Sequence, residues 1–125
     1  MKGSMEFFLA GHPPSPNTMV RWHWGRRARE RKTWRDATVW AAREAMSRST
    51  LPGRFVPVSV VVTFVYPVKR TRDRDNMVAS LKPVLDGLVD ARILKDDGPE
   101  HLPHLGVEEE VSDRRAGIYV KVIEA

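Results

Sequence analysis

Two aspartates at alternate positions, Asp73 and Asp75, lie between Arg72 and Asn76, and a second acidic pair, Asp96-Asp97, follows further along the chain. In an extended segment, alternate side chains point to the same side. Asp73 and Asp75 can therefore address one ion. Hard divalent cations take several oxygen ligands, and carboxylates supply those oxygens together with charge. Asp97 would complete a three-carboxylate set, provided the chain folds back: a helix of about 14 residues spans roughly 21 Å. Asp75, Lys82 and Asp86 stand at i, i+7 and i+11, one face of a helix. A lysine beside carboxylates either neutralises them as a structural ion pair or stabilises charge that develops on a phosphate during cleavage. The plainer reading of an isolated D-x-D is a turn or helix cap, a common use of aspartate. Asp96 reads as well as a turn cap as it does as a ligand.

A second constellation is basic and aromatic. Arg21, Arg26, Arg27, Arg29, Arg31, Lys32 and Arg35 share one segment with Trp22, His23, Trp24 and Trp34. Arginine forks match phosphate oxygens, and exposed aromatic rings stack on unpaired bases. Trp34 and Trp40 read as core residues, Trp22 and Trp24 as exposed or DNA-contacting. Lys69, Arg70, Arg72 and Arg74 form a further basic patch beside the aspartates, which would offset repulsion between DNA and the acidic cluster. His101 and His104 have a metal-like spacing, but their proline-rich surroundings read as a loop without metal. Glu108-Glu109-Glu110 reads as a solvated strand edge or turn.

The 125 residues suit one domain with a modest core, read as spanning positions 1–125, with 1–4 as a start-site or tag remnant. The net charge of +5 makes a polyanion, nucleic acid first, the expected partner. No cysteine is present, which excludes disulfides, thiolate metal sites and a cysteine nucleophile. No run reaches the roughly 18 apolar residues of a membrane span. The expected location is cytoplasmic, with no membrane partner.

The elements that must position these residues are an α+β set: a mixed or antiparallel sheet of about four strands packed with two helices. Residues 6–10 read as a first strand, closed by the proline-rich stretch 11–17. Residues 18–32 read as a loop. A helix is expected from Thr33 or Trp34, with Ala37, Ala41 and Ala45 as its packing stripe and an end at 47–53. The run 56–66 is the strongest strand, with Val58, Val60, Val62, Phe64 and Tyr66 on one face. A second helix is expected from about Asn76 to Val89, capped by Asp75 or Asn76, with Pro83 at odds with an unbroken helix. Residues 99–106 read as irregular, and 107–111 and 117–123 as final strands.

Taken together, Arg72-Asp73-Arg74-Asp75-Asn76, then Lys82-Pro83-Val84-Leu85-Asp86-Gly87-Leu88, then Leu94-Lys95-Asp96-Asp97 resemble the signature of the RusA family of Holliday-junction resolvases. The family pattern is an R-D-x-D-N run, a helix carrying K-x-x-x-D, and a D-D pair eleven residues past the helix aspartate; Asp86 and Asp97 keep that spacing. Pro13-Pro14-Ser15-Pro16-Asn17 resembles the family's P-P-S-x-N loop. One departure is the seven residues from Asp75 to Lys82, where some members have four. The resemblance implies a RusA-like fold and a homodimeric endodeoxyribonuclease of DNA recombination and repair, dependent on Mg2+ or Mn2+. It would resolve four-way junctions by paired phosphodiester hydrolysis. Asp73, Asp75 and Asp97 would be the catalytic metal-binding carboxylates and Lys82 the active-site lysine. Arg72 would be the family's DNA-contacting basic residue; Asn76 beside it, and Lys69, Arg70, Arg26 and Arg27 from the two basic patches, are the further residues expected to contact DNA. Two alternatives stand beside it: a phage or mobile-element nuclease cutting forks or flaps, and a non-catalytic DNA-binding module derived from such an enzyme.

Overall fold

Every second residue of the run Val58-Ser59-Val60-Val61-Val62-Thr63-Phe64 is apolar and shielded from water, and this alternation sets the architecture. A computed structural model describes residues 2–69 and 71–125. In chain order it contains β1 (Ser4–Ala10), α1 (Pro16–Met19), α2 (Trp24–Met46), β2 (Val58–Tyr66), α3 (Arg74–Ala79), α4 (Lys82–Asp90), β3 (His104–Val111) and β4 (Gly117–Glu124). The sheet order is β1-β4-β2-β3. β4 runs antiparallel to both β1 and β2, while β3 runs parallel to β2. A parallel neighbour requires a crossover rather than a hairpin. Residues 67–103, carrying α3 and α4, are that crossover, and they also carry Asp73, Asp75, Lys82 and Asp97.

One face of the sheet is the core face. Phe7, Val60, Val62, Phe64, Val107, Val120 and Val122 bury there against Trp34, Ala42, Leu81, Val84 and Leu88 of the helical layer. The other face carries Glu6, Phe8, Tyr119 and Lys121, exposed or half-buried. The sheet is thus mixed and four-stranded, as expected for an α+β chain. β3 is an edge strand, with Glu108, Glu109 and Glu110 exposed on it.

Several local expectations change. Residues 18–32, read as a loop, hold the last two residues of α1 and the first nine of α2, and α1 itself begins at Pro16 within the proline-rich stretch. Gly25 to Lys32 is rich in arginine, alanine, glutamate and lysine, all good helix formers, but this stretch buries almost nothing and so shows no apolar period. His23 caps it, its Nδ1 accepting from the Gly25 amide at 3.1 Å. The buried stripe of α2 is Trp34, Thr38, Ala42 and Ala45, so Ala37 and Ala41 sit at its margin and Trp40 faces solvent, 73% exposed. The expected second helix is two helices. Pro83 lacks the N–H that would reach the Ala79 carbonyl, so the chain breaks at Ser80-Leu81 and α4 restarts with Pro83 in its first turn. The cap of α3 is Asp73, not Asp75 or Asn76. β3 begins at His104, inside the stretch read as irregular. Gly3 and Ser4 are built into the sheet region: Ser4 opens β1, and the Gly3 carbonyl accepts from the Glu124 amide at 2.9 Å.

α2 packs on α4 and β1. Its approach to α4 is close because of Gly87: a Cβ there would lie 2.6 Å from Thr38 Cβ and 2.7 Å from the Arg35 carbonyl oxygen. Among the described residues no helix is long and apolar enough to cross a membrane.

Candidate functional site

Asp73 sits at the N-terminus of α3 in extended backbone, and its Oδ1 accepts from the amides of Asp75 at 2.9 Å and Asn76 at 3.4 Å. One carboxylate oxygen of the D-x-D pair is therefore spent on capping, the plainer role that sequence left open. Asp75 lies in the first turn of the same helix, exposed beside Asp73. Asn76 Oδ1 accepts from Asn17 Nδ2 at 2.9 Å, which joins the Pro13-to-Asn17 loop to the aspartate segment across 59 positions of chain. α1 packs against α3 at the same place.

Lys82 opens α4 and donates to Asp97 Oδ2 at 2.6 Å, with Asp86 Oδ1 at 3.2 Å one turn along. The return of Asp97 depends on the end of α4. Arg92 takes a left-handed conformation, φ 61°, and the amides of Ile93 and Leu94 bond back to the Leu88 carbonyl. Burial of Ile93 and Leu94 then holds the reversed segment down. The hydrogen bonds to Asp97 and Asp86 hold the Lys82 ammonium above its ordinary range, and the bond from Lys82 holds the Asp97 carboxyl below the ordinary carboxylate range. Asp96 is a turn cap, its Oδ1 accepting from the Gly98 amide at 2.7 Å, with His101 Nε2 3.5 Å from its other oxygen.

The structure thus brings Lys82, Asp86 and Asp97 together and, separately, Asp73, Asp75 and Asn76 with Asn17. It does not join the two sets into one metal cage. Among the described residues no group of three or more His, Cys, Asp or Glu side chains is placed to hold a metal ion. The donor chemistry of Asp73, Asp75 and Asp97 suits a hard cation, since all three are exposed carboxylates. Their placement does not form a ready-made three-carboxylate site, and Lys82 occupies the carboxylate of Asp97.

The basic side chains border both sets. Arg31, Lys32 and Arg35 line a cleft of about 430 Å3 with Asp36, Pro83 and Asp86, next to Lys82, and Lys32 pairs there with Asp36 at 2.5 Å. Arg35 forks onto both carboxylate oxygens of Asp90, which fixes α2 against the end of α4 and lowers the Asp90 carboxyl below its ordinary range. A second cavity of about 520 Å3 lies between the 12–22 segment and α3, with Trp22, Arg72, Asp73 and Asn76 in its walls. Arg26 stacks its guanidinium 3.7 Å over the Trp22 ring, and Trp24 is exposed. Arg27 is half-buried and Lys69 exposed. Arg70 lies outside the described residues.

Sequence reading missed three contributors. Asn17 was seen as part of a loop pattern but not as a partner of Asn76. Arg35 was counted with the basic run but fixes two helices. His12 stacks on Tyr66 at 4.3 Å and donates to the Val65 carbonyl at 2.7 Å, while Arg72 covers Tyr66 at 3.4 Å. The signal for the last was a histidine directly before Pro13-Pro14 and an aromatic strand end.

No known family model matches the chain. It is 38% identical over 112 residues to an uncharacterized protein of Xylella fastidiosa, across 87% of this chain and 67% of the relative.

Proposed function

The chain belongs to one family with that uncharacterized Xylella fastidiosa protein, and we propose that it is a Mg2+- or Mn2+-dependent endodeoxyribonuclease acting on branched DNA, of the type its motifs resemble, the RusA resolvases. The observation that carries this reading is the Lys82 ammonium 2.6 Å from Asp97, beside a cleft lined by Arg31, Lys32 and Arg35. A lysine and a carboxylate 15 positions apart meet where basic side chains would hold a phosphodiester backbone. Both members are substantially exposed, so their pairing adds at most about 1 kcal/mol to stability. A structural purpose alone is thin for such a pair.

Asp73, Asp75 and Asp97 are the carboxylates proposed for the cation, although they stand in two separate groups and Asp97 is held by Lys82. A hard cation taken by them would supply an activated water and offset charge on the scissile phosphate. The chain's own contributions are distinct. Arg31 would orient phosphates while Arg35 stays forked on Asp90 and holds α2 in place, Arg72 and Asn76 would contact the strand beside α3, and the Lys82 ammonium would stabilise charge gathering on the phosphate oxygens. Resolution of a four-way junction needs two symmetric cuts, for which a homodimer supplies one site each. DNA recombination and repair in the cytoplasm is the corresponding role.

A second reading, a DNA-binding module without catalysis, is favoured by Asp73 spending an oxygen on the cap of α3 and by the separation of the two acidic sets. Incubation with synthetic four-way, forked and linear DNA, with Mg2+, Mn2+ or chelator, discriminates. Metal-dependent paired cuts in the four-way substrate are expected. Preference for forks or flaps would redirect the substrate class, and tight binding without cuts in any metal would leave the module reading.

A further inference from the structure

The cavity between the 12–22 segment and α3 has the size and walls of a small-molecule site, about 520 Å3, and is distinct from the cleft lined by Arg31, Lys32 and Arg35. Its surfaces are flat and π-rich. Trp22 lines it, braced by the Arg26 guanidinium on one ring face, and the Tyr66–Arg72 stack forms another wall. Asp73 and Asn76, on the proposed site's own helix, lie at its edge. Glu30 also borders it, half-buried, with no hydrogen bond or ion pair among the described residues despite the arginines of its own helix. A lone carboxylate is repulsive to a neighbouring phosphate backbone unless it meets a donor. The exocyclic amino groups of adenine, cytosine and guanine are such donors; thymine has no amino group, only a ring N3–H flanked by two carbonyl oxygens that repel a carboxylate.

We propose that this cavity receives one unstacked nucleobase from the branch point, stacked on Trp22 and read at its amino edge by Glu30. The inference rests on the branched-DNA reading and deepens it. The phosphate of that nucleotide would lie toward Asp73, so base capture would select which phosphodiester is presented for cleavage. Stacking on an aromatic ring tolerates any base, and the discrimination would come from Glu30.

The test uses four-way junctions in which each branch-point nucleotide is replaced in turn by an abasic tetrahydrofuran residue. Binding is measured in chelator for the natural chain, Trp22→Ala, Trp22→Phe and Glu30→Gln. The natural chain is expected to lose roughly tenfold in affinity at one abasic position. Trp22→Ala should lose a similar factor on intact junctions and then be insensitive to that abasic change, and Trp22→Phe should regain most of both. Thymine at the sensitive position should bind more weakly than cytosine or adenine to the natural chain and equally to Glu30→Gln. Because each variant is compared with itself across substrates, a general loss of stability does not mimic this coupling. If the abasic and Trp22→Ala losses multiply independently, or no position is sensitive, the base site is wrong; junction-selective binding and metal-dependent cleavage by the natural chain would then leave the nuclease reading intact. Absence of junction-selective binding by the natural chain would overturn both.

Discussion

Replacing Asp73 by asparagine keeps the cap of α3 and removes its charge, because asparagine caps a helix as well as aspartate. Asp73→Asn should therefore fold normally, bind junctions and lose cleavage, and Asp75→Asn should do the same. Full turnover in Mg2+ by either variant would remove the D-x-D pair from catalysis. Lys82 allows a sharper comparison. One ammonium among 21 lysines and arginines adds little to DNA affinity, whereas one facing the scissile phosphate acts in the transition state. Lys82→Ala is expected to slow single-turnover cleavage by roughly 100-fold with little change in binding, and Lys82→Arg to recover only part. A surface pair with Asp86 and Asp97 alone would leave the rate almost unchanged. The pH behaviour of the pair follows from its two shifts. Asp97 is held low, so its share is present above the ordinary carboxylate range and is lost as pH falls through the lowered value. Lys82 is held high, so its share is full below the ordinary lysine range and is lost as pH rises through the raised value. NMR of the Lys82 side chain should accordingly show an unbroken pair across the neutral range, and an Asp97 carboxyl titrating at an ordinary value would contradict it.

At the level of elements, α2 presents the basic residues and α4 presents Lys82, and Gly87 sets how closely they approach. Gly87→Ala would drive a methyl into Thr38 and the Arg35 carbonyl, a backbone obstruction that cannot swing aside. A loss of about 2 kcal/mol in urea unfolding is expected, within the usual cost of overpacking. No loss at all would mean that the helices are not this close. The start of α2 carries the second element-scale expectation. Arg26 and Arg27 lie in its first turn, and Arg26 stacks over Trp22. Their joint replacement by alanine should weaken DNA binding. The slope of log affinity against log salt should fall by about 0.9 for each phosphate that these arginines neutralise. An unchanged slope would place the first turn of α2 away from the DNA.

For the molecule as a whole, two symmetric incisions require two sites in fixed relation. If the chain resolves junctions as proposed, the expected sedimenting species is twice 14.3 kDa. Mixed dimers of natural and Asp75→Asn chains should nick one strand of a junction rather than resolve it. A monomer that makes paired cuts would contradict this arrangement. The net charge of +5 favours rapid, salt-sensitive association with DNA, but sequence-independent attraction of this kind does not distinguish a junction from a duplex. On the proposed reading, selectivity would come from shape and from the cavity beside α3.

What the sequence determined by itself was everything encoded by short-range pattern. The alternating valines of β2 fixed a strand with one buried face, Trp34 marked the core of α2, and Asp73, Asp75, Lys82 and Asp97 stood out by type and spacing. Pro83 announced a fault in the second helix, though not that the fault would be a complete break. Tertiary structure decided the rest. The first turns of α2 bury almost nothing, so no apolar period marked them. Trp40 faces water because the helix is rotated to put Thr38 against Gly87, a meeting of residues 49 positions apart. The approach of Lys82 to Asp97 depends on the left-handed turn at Arg92, where neither glycine nor asparagine signals a reversal. That turn is held by burial of Ile93 and Leu94 in a core assembled from the whole chain, and no local spacing encodes it.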